Sequence, residues 1–183
     1  MSEREGARLT LPVGARDHVQ GPETAAVTLV EYGDYECPHC GRAYPIVKQI
    51  QEQLGSRLRF VFRNFPLAEI HPHAQHAAEA AEAAAAQGRF REMHDTLFEH
   101  QHALGDRHLA EYAEAIGLDR ARFQRELDDH VHAERVREDF RSGVRSGVNG
   151  TPTFFINGNR HDGSSDFESL MDALTDTAAL GRR

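Results

Sequence analysis

At 183 residues and 39% hydrophobic content, the chain can bury a sizeable core as one domain, or as one domain carrying an insertion. A formal charge of −8 and a pI near 5.8 give no basic field for nucleic acid or for an anionic membrane surface. The opening residues, Met1-Ser2-Glu3-Arg4-Glu5, are charged and lack an apolar h-region, and no apolar run approaches the length of a membrane span, so no membrane insertion is expected. As written, the protein is expected to be cytoplasmic; a trimmed mature form would be periplasmic or extracytoplasmic.

In chain order, Arg8–Val13 alternates polar and apolar residues as an edge strand, and a polar linker with Gly21-Pro22 follows. Ala26–Tyr32 is a short apolar run with β-branched residues and no helical period, which predicts a buried strand broken at Gly33 and Asp34. Ala43, Val47, Ile50 and Leu54 recur at helical spacing, so residues 38–54 read as a helix stopped by Gly55, with Pro45 a point of bending. Over Leu58–Phe65, Leu58, Phe60 and Phe62 alternate with Arg59, Val61 and Arg63, which predicts a strand with one apolar face. From His73 to Val148 the pattern is helical. An alanine-rich helix runs to Gly88, a second carries Phe90, Met93, Leu97 and Phe98, and a third is capped by Asp106 and stopped by Gly117. A fourth opens at Asp119, and a fifth presents Val136, Phe140 and Val144. Strand character returns at Thr153–Ile156 with an Asn157-Gly158 turn, and a closing helix is entered through Ser165 and Glu168 as a capping box.

The only two cysteines lie in Cys37-Pro38-His39-Cys40, at the junction of the first buried strand and its helix. The spacing suits a redox dithiol, half of a zinc site, or two unrelated core thiols. Pro38 fits the first helical position, where its missing N–H costs nothing. A thiolate on Cys37 would face unpaired backbone N–H groups and the positive end of the helix dipole, lowering its pKa. A cationic His39 would add to that stabilisation. A stabilised thiolate favours the reduced state, so the pair is expected to be oxidising, with Cys37 the exposed nucleophile and Cys40 the shielded resolving thiol.

Several motifs, in order along nearly the whole chain, carry a family resemblance. They are Glu31-Tyr32-Gly33-Asp34-Tyr35-Glu36-Cys37-Pro38-His39-Cys40, Arg63-Asn64-Phe65-Pro66-Leu67, His71-Pro72, Met93-His94-Asp95 with Leu97-Phe98, and Ser146 through Gly158 with Gly150-Thr151-Pro152-Thr153 at its centre. With them the chain resembles the DsbA-like thiol:disulfide oxidoreductases. The resemblance implies an α/β, thioredoxin-like fold: a central mixed sheet flanked by helices, formed by residues 1–66 and 149–183, with an all-helical insertion over residues 67–148. It implies that Cys37 and Cys40 exchange disulfides with protein or peptide thiols, that Pro152 is cis, and that Thr151 and Pro152 receive substrate backbone. It also implies that Glu31, late in the central strand, moves protons to and from Cys40. No cofactor beyond the redox-active Cys37–Cys40 disulfide is implied, and an unidentified redox partner would restore it. A cytoplasmic member could act instead as a reductase or isomerase. Arg91 departs from the family, whose members often carry tryptophan there.

The twelve histidines raise a third reading, a metal-binding Cys/His protein. They group as His71, His73 and His76, as His100 and His102, and as His130 and His132. None follows Cys37 and Cys40 at zinc-finger spacing, and histidines two apart on a helix face different ways, so no metal site is expected. His94 is expected to hydrogen-bond within the helical segment.

Overall fold

A computed structural model describes residues 6–181; the charged opening, residues 1–5, lies outside them. In chain order the elements are β1 (His18–Gln20), β2 (Val27–Gly33), α1 (Pro38–Leu54), β3 (Leu58–Asn64), α2 (Ala74–Ala86), α3 (Phe90–Glu99), α4 (Asp106–Ala115), α5 (Arg120–Asp128), α6 (Ala133–Arg145), β4 (Thr153–Ile156), β5 (Asn159–Arg160) and α7 (Phe167–Leu180). They form a thioredoxin-like fold with a mixed sheet, and divide into two compact units. One comprises Met1–Gly33, Arg42–Arg63 and Ser142–Arg183; the other comprises Asp34–Gly41 and Asn64–Arg141.

The first unit is built on a sheet of order β1-β3-β2-β4-β5. β2 pairs antiparallel with β4, which sets Glu31 opposite Phe154. Asn157 and Gly158 both take positive φ, 46° and 81°, as the tight β4–β5 turn requires. The edge strand lies at His18–Gln20, antiparallel to β3, and not at Arg8–Val13. That earlier segment makes a single bridge, Arg8 to Asn159, through Leu9 N to Gly158 O at 2.8 Å and Arg160 N to Ala7 O at 2.9 Å, while the next donor, Thr10 N, turns to Ser146 Oγ at 3.0 Å.

β3 is buried on both faces, not on one. Arg63, expected to point outward, is fully buried, and its guanidinium donates to Asp17 at 2.8 and 3.0 Å, to Leu11 O, to Pro12 O and to Tyr32 Oη. Burial opposes its charge, but the Asp17 hydrogen bonds and the nearby Tyr32 outweigh that and hold its pKa above the ordinary value. α7 is capped by Asp166, whose carboxylate accepts from Ser169 N at 2.8 Å, so the predicted Ser165 box is displaced by one residue.

The second unit is helical apart from the residues around the cysteines. Nearly every alanine of α2 is buried, and these small side chains let α3 and α5 pack closely against it. Asp119 caps α5 as expected, accepting from Arg122 N at 3.0 Å. Asp106 does not cap α4; Gly105 occupies that position, and the Asp106 carboxylate accepts from His76 Nδ1 at 2.7 Å. Asn64 is held between two buried carboxylates, donating its side-chain amide to Glu82 at 2.7 Å and its backbone N–H to Asp139 at 2.9 Å. Phe65 stacks on Phe140, with ring centroids 4.3 Å apart. Val144 is exposed, not inward, because each four-residue step turns about 40° and carries it well round from Val136.

Candidate active site

β2 ends at Gly33, where a Cβ would lie 2.4 Å from the Phe62 ring, so a side chain there would collide with the core. The chain turns at Asp34, whose carboxylate is fully buried. Its Oδ1 accepts from Glu36 N at 2.8 Å and Cys37 N at 3.2 Å, the local bonding that makes aspartate a turn residue. Its Oδ2 accepts from Leu67 N at 2.9 Å and from His71 Nδ1 at 2.7 Å. Asp34 N in turn points at Cys40 Sγ, 3.4 Å away.

This turn delivers Cys37 to the start of α1, with Pro38 first in the helix and Gly41 N closing its first bond to Cys37 O at 3.0 Å. Gln101 secures the turn, donating Nε2 to Tyr35 O at 2.8 Å and to Cys37 O at 2.9 Å. A Cβ on residue 41 would sit 1.9 Å from Gln101 Oε1, so glycine directly after Cys40 is what admits this clamp. Tyr35 Oη meets His94 Nδ1 at 3.0 Å, and the Tyr35 ring packs on Phe98. His94 thus bonds to the cysteine-bearing turn, outside residues 67–148, and not within the helical segment as expected.

Both cysteines are buried thiols, Cys37 with 3% of its surface accessible and Cys40 with none. The expected exposure of Cys37 is not met, since the Asp34 turn curls it inward and Gln101 grips its carbonyl. Pro38 and His39 are exposed. One charged neighbour that couples to Cys37 is His71: burial opposes its cationic form, but the hydrogen bond and charge of Asp34, with smaller pulls from Cys37 and Glu36, raise its pKa above 6.5. By reciprocity, cationic His71 favours the Cys37 thiolate. The sequence pattern pointed to His39 for such a role and did not reveal the parts played by Asp34, His71 and Gln101. Asp34 and His71 each stand in a quoted motif, but nothing in the sequence shows that they meet, and Gln101 stands in none.

Glu31 is 2% exposed in β2, a buried carboxylate on the central strand. Thr151 and Pro152 are half-buried and joined by a cis peptide bond, and Thr153 Oγ1 donates to Gly150 O at 2.7 Å. Glu31, Thr151 and Pro152 belong to the first unit, the cysteines to the second. Among the described residues the group of side chains spaced to hold an ion lies apart from the cysteines in sequence, at His76, Glu79 and His130.

The sequence pattern of the family described as Thioredoxin matches residues 15–176. The chain belongs to the thioredoxin family. Its fold is that of DsbA-like proteins. It superposes on oxidised BdbD from Bacillus subtilis with a TM-score of 0.83 and 23% identity, covering 95% of this chain and 97% of that one. Wolbachia pipientis alpha-DsbA1 gives a TM-score of 0.79 at 19% identity, with 95% and 96% covered. A thioredoxin-like oxidoreductase from Silicibacter pomeroyi DSS-3 gives 0.80 at 26% identity, with 91% and 94% covered. Among curated proteins this thioredoxin-family chain is 50% identical over 172 residues to the Na(+)/H(+) antiporter NhaA 1 of Salinispora arenicola, covering 93% of this chain and 26% of that protein. It is 49% identical to NhaA 3 of Salinispora tropica, covering 95% and 27%. The chain therefore spans about a quarter of the length of these curated relatives. Among the described residues no helix is long and apolar enough to cross a membrane.

Proposed function

We propose that this thioredoxin-family chain is a DsbA-like thiol-disulfide oxidoreductase that oxidises protein or peptide dithiols through Cys37 and Cys40. A substrate thiolate attacks Cys37 Sγ of the oxidised pair, the Cys37–Cys40 bond breaks, and Cys40 leaves as a thiolate that takes up a proton. A second substrate thiol, losing its proton, then attacks the substrate sulfur of the mixed disulfide and releases the Cys37 thiolate. Two electrons have passed to the chain, and the substrate has gained a disulfide. An external redox partner must withdraw those electrons for a further cycle.

The observation that carries this reading is the seat of Cys37 at the N-terminus of α1, with its N–H bonded to Asp34 and with His71 coupled to its charge. Helix dipole and cationic histidine both favour the thiolate, which makes Cys37 a good leaving group and the disulfide oxidising. His39, exposed in the first turn, adds a weaker solvent-screened contribution. Glu31 serves as the proton carrier for Cys40, and Thr151 with Pro152 receives substrate backbone.

Equilibration of the pair with glutathione buffers tests the proposal. A potential above roughly −200 mV supports an oxidase, whereas one near the −270 mV of a reducing thioredoxin would overturn that direction in favour of a reductase.

A further inference from the structure

The helical unit holds a second histidine–carboxylate cluster made of residues that lie in separate groups along the sequence. His76 and Glu79 are three apart on α2 and share a face. His130 joins them from the turn after α5, where its φ of 51° is unusual for a residue other than glycine. That backbone is held by its neighbours: His130 N to Leu127 O at 3.2 Å, Val131 N to Glu126 O at 3.0 Å and Ala133 N to His130 O at 3.1 Å. One ligand atom from each of the three side chains lies within 4.8 Å of the others.

We propose that His76, Glu79 and His130 form a binding site for a divalent transition-metal ion of the Zn²⁺ type. Two imidazoles and a carboxylate are a ligand set that zinc takes when a fourth position stays open. His130 Nδ1 and Glu79 Oε1 are 3.1 Å apart, close to the roughly 3.3 Å that two ligands present on one tetrahedral zinc with bonds of about 2.0–2.1 Å. The proton they now share is the one the cation displaces, so binding releases it. His76 and His130 are partly or largely exposed and free to close on the ion, while Glu79 is buried and fixed by Gln75 Nε2, 3.2 Å from its Oε2.

The surroundings match a metal site in two further ways. Asp106 accepts from His76 Nδ1, which leaves Nε2 with a lone pair for a cation and orients the ring, the arrangement in which a second carboxylate backs a liganding histidine. A cavity of about 410 Å³, walled by His76, Glu79, His130, Arg137 and Phe140, provides room for a water or an exchangeable ligand in the fourth position. A smaller cavity of about 250 Å³ shares the two histidines and adds Asp106 and Asp128, whose negative charge favours a cation.

Zinc titration of the untagged protein, with Cys37 and Cys40 oxidised to their disulfide so that no thiolate competes, decides the matter. The expected result is saturable binding of a single Zn²⁺, weakened tenfold or more in His76→Ala and in His130→Asn, and weakened less in Asp106→Asn. His130→Asn is chosen because asparagine tolerates the positive φ, so folding is preserved. His102→Ala, outside the cluster, should bind zinc as tightly as the parent. Absence of saturable binding, or equal affinity in the parent, His76→Ala and His130→Asn, would overturn the proposal.

Discussion

Two buried carboxylates of the helical unit, Asp34 and Glu79, each meet a histidine, and they differ in how much of their bonding is used. Asp34 accepts two hydrogen bonds on each oxygen, three of the four from backbone N–H groups, and its histidine is mostly covered. Glu79 accepts from Gln75 and from His130, both side chains, and its histidine is more than half exposed beside a cavity. A carboxylate saturated by backbone fixes a turn. One that meets movable side chains can exchange a proton for a cation. The same pairing of a carboxylate with an imidazole therefore acts as a scaffold beside the cysteines and as a candidate ligand set among the helices.

Truncating the two carboxylates should separate these roles most strongly. Asp34→Ala strands buried N–H donors and should lower unfolding free energy by on the order of 3 kcal/mol, whereas Glu79→Ala, which strands no buried backbone donor of this set, should lose about 1 kcal/mol; denaturant unfolding of both variants measures the gap. Equal losses would erase the distinction between them. Gly41→Ala should displace the Gln101 amide from Tyr35 O and Cys37 O, removing two hydrogen bonds at about 1 kcal/mol each, and should also make Cys37 alkylate faster as its cover loosens.

Smaller effects sharpen the Asp34 side. The folded pKa of His71 is raised, so its stabilising contribution is complete below the ordinary 6.5 and is lost as pH rises through the raised value. Unfolding measured across that window should show a decline that His71→Asn flattens. His39→Ala should leave stability within about 0.5 kcal/mol, because the residue is exposed. Thiolate absorbance at Cys37 should titrate higher in His71→Asn than in His39→Ala, with no tryptophan in the chain to interfere.

Elements with strong period or strong punctuation could be read directly. α1 has its predicted bounds because Pro38 opens it and Gly55 ends it, and β2 and β4 follow from short apolar runs. Arg63 was misread because alternation implies an outward face, and nothing local reveals that Asp17 will neutralise an arginine 46 residues away. The site divides in the same way. The cysteines, the helix start and the Thr151–Pro152 segment are motifs, visible as text. Asp34 reaching Leu67 and His71, and Gln101 reaching back over Gly41, are long-range contacts with no periodic trace. The meeting of His76 with His130 is hidden for the same reason, being set by how α2 and α5 pack.

Trapping of a mixed disulfide tests the central claim most directly. The Cys40→Ser variant, incubated with a peptide containing a disulfide, should accumulate a covalent adduct mapped to Cys37, because the Cys37 thiolate attacks the peptide disulfide and no resolving thiol remains. The Cys37→Ser variant should form little adduct, since Cys40 is fully buried. Equal or faster adduct formation through Cys40, or none through Cys37, would contradict the assignment of Cys37 as the reacting cysteine.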